Sequence, residues 1–327
     1  MKIAFLHYYH NSIFRGLEVY LNQIASKLSK NHQILSLTGP KKTTPPLFKI
    51  SFIRRLFLDS ASLKVTLWSI KQLPPLHKFK PDVIFALNGG WQSLILRLYS
   101  WLTSSKLIIP GQSGPGWDDR WNLFCHPDIF VCLTQRQLDW AKKATPWKNQ
   151  KFALIPNGVD LKKFTPSARV QPLQLQKPII CIAAANQKSK NIDKTILAVK
   201  ALKKGSLLIL GKGHLNVPHH KMPQYYRACD LFTLCSQSSE AFGIVYLEAL
   251  ACGLPVVATD DTSRHEIVGN AGLYVKDPSD SKEYATVLQK ALDKNWGNLP
   301  RLQAAKFSWR KITKKYNELF KTLRFKN

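Results

Sequence analysis

The stretch that decides the fold is Ser236-Gln237-Ser238-Ser239-Glu240-Ala241-Phe242-Gly243-Ile244-Val245-Tyr246-Leu247-Glu248-Ala249-Leu250-Ala251-Cys252-Gly253-Leu254-Pro255-Val256-Val257-Ala258. The apolar run Leu231 to Leu234 ends in a polar loop, a helix is predicted from Gly243 to Ala251, and a second apolar run starts at Pro255. Strand, polar loop, helix and strand in that order are the unit of a parallel α/β sheet. The free N–H groups and the dipole at the start of such a helix favour an anion, and Gly243 leaves room for a phosphate or sugar to approach. Glu240 sits at the mouth of the loop. Glu248 lies between Leu247 and Ala249, where a carboxylate is costly unless something hydrogen-bonds to it. Sugar hydroxyls would satisfy both carboxylates.

Outward from this stretch the same alternation fills the chain. Towards the C-terminal half, strands are predicted at Ile179 to Ala184, Ser206 to Leu210, Leu231 to Leu234 and Pro255 to Thr259. Helices are predicted at Ile192 to Lys203, Met222 to Cys229 and Lys282 to Asp293. Thr165 to Pro178 is polar, contains proline, has no periodicity and reads as a linker. Before it, strands are expected at Lys2 to Tyr8, Gln33 to Thr38, Val83 to Leu87, Lys106 to Pro110, Ile129 to Leu133 and Phe152 to Ile155. Leu17, Tyr20, Leu21, Ile24, Ala25 and Leu28 have the spacing of an amphipathic helix. Two Rossmann-like sheets follow, and 327 residues are more than one compact core usually supports. Two domains imply a cleft.

Composition is that of a globular chain, 45% hydrophobic and 11% aromatic, without repeats or low-complexity tracts. Charge is the exception: 48 Lys+Arg against 20 Asp+Glu give a formal net charge of +28. Between Val19 and Trp117 the only acids are Asp59 and Asp82, and between Arg301 and Lys326 only Glu318. Such a field favours phosphates, nucleic acid or an acidic membrane face, although a solvated basic surface is the bland reading. Leu47 to Leu58 mixes aromatics, aliphatics and cations, which fits an interfacial helix or a core helix equally. The six cysteines lie on apolar stretches with no C-x-x-C pair and no histidine at zinc-ligand spacing, so they are expected to be reduced core residues. Met1 to His10 lacks the apolar region of a signal peptide, and no run of about 18 uncharged apolar residues offers a membrane span. A cytoplasmic location is expected, with the inner face of the cell membrane as an alternative.

Glu240 and Glu248, separated by seven residues and followed by Ala249-Leu250-Ala251-Cys252-Gly253-Leu254-Pro255-Val256-Val257, resemble the Glu-x7-Glu signature of the family 4 retaining glycosyltransferases. Ile155-Pro156-Asn157-Gly158-Val159-Asp160 with Phe164 resembles the family's interdomain turn. Tyr225 to Asp230 resembles the stretch before its donor loop, and Gly16-Leu17-Glu18 its N-terminal glycine loop. The resemblance implies the GT-B fold: two Rossmann-like domains facing a central cleft, an acceptor domain at 1–165, a donor domain at 166–305 and a C-terminal helix at 306–327 crossing back. It implies that Glu240 holds donor-sugar hydroxyls, Glu248 the ribose, and the backbone at Phe242, Gly243 and Ile244 the sugar and distal phosphate. Lys190 matches the lysine that grips the diphosphate and stabilises the leaving group, so neither a metal nor another cofactor is called for.

Two positions depart from the family pattern. A Gly-Arg pair usually precedes the lysine, whereas here the strand runs into Ala183-Ala184-Ala185-Asn186; Lys188 offers a point charge but not an arginine's fork. The family's N-domain histidine has no match in Pro110-Gly111-Gln112-Ser113-Gly114-Pro115-Gly116-Trp117-Asp118-Asp119-Arg120, a loop whose aromatic and paired acids are expected to face the cleft, and His126 falls too late. In this glycine-rich loop Gln112, Ser113 and Asp118, with Gly16, are read as acceptor-binding, the alternative for Asp118 being a helix cap. Gly211-Lys212-Gly213 lacks the rest of a dinucleotide or phosphate-loop motif and is read as a border of the nucleotide base or a plain turn. The expected activity is transfer of a hexose from a UDP- or GDP-sugar to a glycan or lipid-linked acceptor with retention. Its rivals are a catalytically degenerate partner protein of the same fold and a basic nucleic-acid-binding protein, the latter without a recognisable motif.

Overall fold

The computed structural model describes residues 1–10, 16–41, 52–166, 173–184, 188–211, 213–237 and 240–323. These divide into two compact units, one of Met1–Pro156 with Ile312–Asn327 and one of Asn157–Lys311. The first contains a six-stranded, all-parallel sheet built from β1 (Lys2–His7), β2 (Gln33–Thr38), β3 (Val83–Ala86), β4 (Lys106–Pro110), β5 (Ile129–Cys132) and β6 (Phe152–Leu154), in the order β2-β1-β3-β4-β5-β6. Strands β3 and β5 are buried at every position, as parallel strands covered on both faces must be.

The helix Gly16–Leu28 follows β1 but is turned slightly from the expected face: Glu18 is buried beside Tyr20, Leu21, Ile24 and Leu28, while Leu17 is half-buried. His7, at the end of β1, places its Nε2 3.6 Å from the Glu18 carboxylate. Three helices that sequence periodicity did not single out, Ser60–Lys71, Leu73–Phe79 and Trp91–Thr103, fill the long stretch between β2 and β4. The last helix runs Trp309–Thr322 and contributes Ile312, Tyr316 and Phe320 to this unit's core. Tyr20 donates its hydroxyl hydrogen to Tyr316 at 2.8 Å, and Phe85 on β3 meets the rings of Tyr316 and Phe320.

The second unit contains β7 (Ile179–Ala183), β8 (Ser206–Leu210), β9 (Leu231–Leu234), β10 (Val256–Thr259) and β11 (Gly272–Val275), all parallel, in the order β11-β10-β9-β7-β8. Strand β11 and the helices Thr262–Val268 and Leu299–Lys306 were not anticipated from periodicity. The unit boundary falls at Pro156/Asn157, not at 165. The turn after Pro156 is held by the second unit: Arg301 donates to the carbonyls of Leu161 and Phe164, and Val159 bridges to Ser308. All six cysteines are buried and unlinked.

Candidate functional site

The loop leaving β9 is built outward from the backbone of one residue. Gln237 donates its N–H to the carbonyl of Ser189 at 2.8 Å, and its own carbonyl accepts from the Glu240 N–H at 3.1 Å. That arrangement brings the loop to the 3-10 turn Lys188–Lys190, where Lys190 Nζ forms an ion pair with Glu240 Oε2. Both side chains are largely but not wholly buried, at 20% and 15% exposure, so solvent or a ligand reaches them. Asn191, in the left-handed region at φ +50°, donates Nδ2 to the Cys235 carbonyl at 2.8 Å and fixes the turn against the strand end. Lys188 lies in the same turn, but its side chain, like Ala185, Asn186, Gln187, Ser238 and Ser239, falls outside the described residues.

The helix that follows spans Ile244–Ala251 and starts on Gly243, whose φ of +82° lies in the region that side-chained residues avoid. A Cβ there would stand 2.5 Å from the Tyr246 ring, so both backbone and space demand glycine. Among the described residues no side chain caps this end; the Tyr246 N–H donates to the Gly243 carbonyl at 3.0 Å, and the N–H groups of Gly243 and Ile244 ahead of it are where an anion would be held. Phe242 and Ile244 are buried on either side, Phe242 against the Phe307 ring. Tyr246 donates to the Leu234 carbonyl at 2.7 Å and locks the helix start to β9.

Glu248, one turn further, is only 3% exposed. Its carboxylate already has partners within the chain: His219 Nε2 lies 2.6 Å from Oε1, and Tyr226 donates to Oε2 at 3.2 Å. His219 Nδ1 in turn meets Lys163 Nζ at 3.0 Å, and the Phe164 ring lies beside the imidazole. Burial lowers the Lys163 pKa, against the pull of Glu248 and Asp160. The sequence reading found Glu248 and missed His219 and Lys163, because they are 29 and 85 positions away and carry no motif of their own. Gly211 and Gly213 have φ of +136° and +92° and shape the turn after β8, which closes by Gly211 N–H to the Leu215 carbonyl; Lys212 lies outside the described residues.

In the first unit, the loop after β4 is organised by Asp119, which the sequence reading took only as the second of the loop's paired acids. Asp119 has no exposed surface; it accepts from Gln137 Nε2 at 3.0 Å and Asn122 Nδ2 at 3.3 Å, and burial pushes its pKa up to about 8. Gln137 also donates to the Gly111 carbonyl at 2.6 Å. Gly111 has to be glycine, since a Cβ would run into Gln137 and stand 2.8 Å from Phe130. Asp118 does not cap the helix Trp117–Phe124; the cap position is Gly116 and Asp118 lies inside the first turn, its pKa raised by burial against the opposing effect of Arg54. Gln112 is half-buried, Ser113 exposed, and Gly16 exposed at the start of its helix. His126 follows the C-terminal end of helix Trp117–Phe124 and packs on Trp147, away from the glycine-rich turn that begins it. His7 is buried beside Glu18, and burial, with His10 nearby, lowers its pKa to about 3.

Comparison with known proteins points the same way. Residues 212–306 match the family model of glycosyl transferases group 1. Over 112 residues, 33% of this chain, it is 38% identical to O-antigen chain mannosyltransferase B of Escherichia coli. Over 203 residues, 51% of the chain, it is 27% identical to a GDP-mannose-dependent monoacylated alpha-(1-6)-phosphatidylinositol monomannoside mannosyltransferase of Corynebacterium glutamicum. The matched regions span 29% and 53% of those two relatives. The crystal structure of Anabaena HepE in complex with UDP and glucose superposes with a TM-score of 0.74 at 17% identity, covering 99% of this chain and 100% of the other. At that identity the likeness shows the fold.

Proposed function

We propose that the chain, which matches the group 1 glycosyltransferase model over residues 212–306 and has the GT-B fold, is a member of that family that moves a hexose with retention from a UDP- or GDP-sugar to a glycan or lipid-linked acceptor in cell-surface polysaccharide or glycolipid synthesis. The observation that carries this reading is the Lys190–Glu240 pair at the edge of an uncapped helix start. A nucleotide sugar would replace both halves of that pair. Its diphosphate takes the ammonium and the N–H groups at Gly243 and Ile244, and its sugar hydroxyls donate to the carboxylate. Lys190 is then placed to stabilise the charge that develops as the diphosphate leaves, without a metal, and the protein's remaining task is to hold the reactants in line. Glu248, with His219 behind it, keeps lone pairs for the ribose hydroxyls.

The test is release of free UDP or GDP from a panel of nucleotide sugars, with nucleotide binding measured by calorimetry on the same samples. We expect one donor to be hydrolysed slowly without acceptor, and Lys190→Ala and Glu240→Ala each to lower that rate about a hundredfold or more. Wild-type protein that neither binds nor turns over any donor would leave the degenerate partner, favoured by the absent Gly-Arg pair and N-domain histidine, as the reading that stands.

We also propose that it works at the cytoplasmic membrane surface. Among the described residues no helix is long and apolar enough to cross a membrane. Support comes from the first unit, where large apolar side chains face solvent. On Ser60–Lys71, Leu63, Leu67 and Ile70 form an exposed stripe while Val65 and Ser69 face inward. Trp91–Thr103, joined to it by Gln92 Nε2 donating to Ser69 Oγ at 3.2 Å, exposes Leu98, Trp101 and Leu102, the last at 86%. Residues 47–51 of the expected interfacial segment lie outside the described residues; Phe52–Arg55 is one short helix with Phe52 and Ile53 exposed and no buried residue. Arg54, Arg55, Lys64 and Lys71 supply charge around this face, and Asp59, the acid within 52–71, is occupied capping the helix.

A further inference from the structure

Arg264 is a guanidinium with no exposed surface, carried by the helix Thr262–Val268 after β10. Burying a full charge is costly unless partners compensate it, and a position of this kind is normally apolar. Its partners are specific. Nη1 stands 2.9 Å from Asp261 Oδ2, while Nη2 donates to Ser236 Oγ at 2.7 Å and to the Gln237 carbonyl at 3.1 Å. The Gln237 carbonyl also accepts the Glu240 N–H, and the Gln237 N–H is bound by the Ser189 carbonyl next to Lys190. The backbone of one residue, Gln237, therefore joins three groups: Arg264 and Glu240 at its carbonyl and the Lys190 turn at its N–H. Glu240 and Tyr246 lie within electrostatic reach of the guanidinium.

From this geometry we infer that Arg264 is a positioning residue of the donor site, fixing the backbone at Gln237 so that Glu240 and Lys190 present to the diphosphate-sugar. The chain lacks an arginine ahead of Lys190, where β7 runs out in Ala183 and Ala184; it brings one to the same loop from the neighbouring side of β9, through β10. The Asp261 carboxylate lies against Nη1 and offsets part of the guanidinium's charge, so what Arg264 gives the loop is direction. Two acceptors, Ser236 Oγ and the Gln237 carbonyl, are held by one planar nitrogen, Nη2. A lysine carries the same charge without that fixed direction.

The inference rests on the donor-site reading, and the experiment separates the two. Dissociation constants of UDP, GDP, uridine and guanosine are measured by calorimetry on the full chain for wild type, Arg264→Gln, Arg264→Lys and Ser236→Ala, with urea midpoints alongside. For the nucleotide that wild type binds, we expect both Arg264 variants to weaken the diphosphate about tenfold, and Ser236→Ala about threefold, while affinity for the matching nucleoside stays within about twofold. Ser236→Ala removes one anchor without burying or deleting a charge, and so reports even where an Arg264 variant does not fold. Unchanged diphosphate affinity in all three variants, or equal losses for diphosphate and nucleoside that follow the urea midpoint, overturns the inference and leaves the donor site standing. Wild type that binds no nucleotide overturns both.

Discussion

Asp119 is a carboxyl group sealed inside the first unit, and its proton links that unit's stability to pH. With its pKa pushed up to about 8 by burial, the folded chain keeps a proton that the unfolded chain gives up near the ordinary carboxylate value of 3.8. The stability it contributes is therefore complete below that value and is lost as pH rises through about 8. His7 acts in the opposite sense: its pKa falls from 6.5 to about 3, so its contribution is complete above 6.5 and lost as pH falls. The two slopes oppose each other in mild acid, and of the two only Asp119 acts from about pH 7 upward, where it costs up to about 1.4 kcal/mol per pH unit. Between about pH 7 and pH 8 the wild-type urea midpoint is expected to fall, and Asp119→Asn to flatten that fall, because an amide stays neutral throughout. An equal slope in the variant would assign the proton to another group. Neither residue was legible in the sequence. Asp119 stands in a run of polar residues, Trp117-Asp118-Asp119-Arg120, where helical periodicity does not reveal that the second acid faces Gln137 from a different helix. Arg264 was hidden for the same reason, between Ser263 and His265 on a seven-residue helix too short to show a period. Glu240 and Glu248 stood out because they lie in one local strand-loop-helix unit, whereas Lys190, 50 positions before Glu240, was singled out by the family resemblance.

At the level of elements, the turn Asn157 to Phe164 was legible as a turn but not as part of the second unit. Its glycine, Gly158, is not required by a positive φ: a Cβ there would stand 2.6 Å from the Trp309 indole, a contact made 151 positions away. Arg301 does the rest. Nη1 donates to the carbonyls of Phe164 and Ala251, at 2.5 and 2.6 Å, and Nη2 to that of Leu161 at 2.7 Å. Hydrogen bonds from a charged donor contribute more than neutral ones, and losing this donor leaves three carbonyls to find water. Arg301→Ala is expected to lower stability to urea by about 2–3 kcal/mol. Arg301→Lys, with one nitrogen for carbonyls on two sides, should recover less than half of that loss. Limited proteolysis gives an independent check, since cleavage at Lys162 and Lys163 should rise in the alanine variant and not in a substitution at exposed Lys311. The strands other than β11 were legible almost to the residue, the central ones because parallel strands covered on both faces are apolar throughout. Ser60–Lys71 and Trp91–Thr103 were not, because both carry apolar residues on their solvent faces as well as their buried ones, which blurs the helical period.

That blurring is what the whole molecule has to explain, together with a net charge of +28. A chain of this charge binds many anionic surfaces, so charge by itself does not choose between a bilayer and nucleic acid. The exposed apolar stripes do choose, because they gain nothing from a phosphate backbone and gain from a bilayer interface. Each basic residue near an anionic surface contributes about 1 kcal/mol, screened over about 8 Å at physiological salt, whereas the apolar contribution does not weaken with salt. Sedimentation with vesicles containing an anionic phospholipid should therefore show binding that falls with added salt to a plateau above zero. Leu67→Glu and Trp101→Ser, both at positions 61% exposed and remote from Lys190 in sequence, should remove the plateau while leaving nucleotide binding unchanged. Neutral vesicles should bind only to the level of that plateau. If the chain instead ignores vesicles and binds nonspecific RNA with a steep dependence on the logarithm of salt concentration, the basic field serves a polyanion and the membrane reading fails.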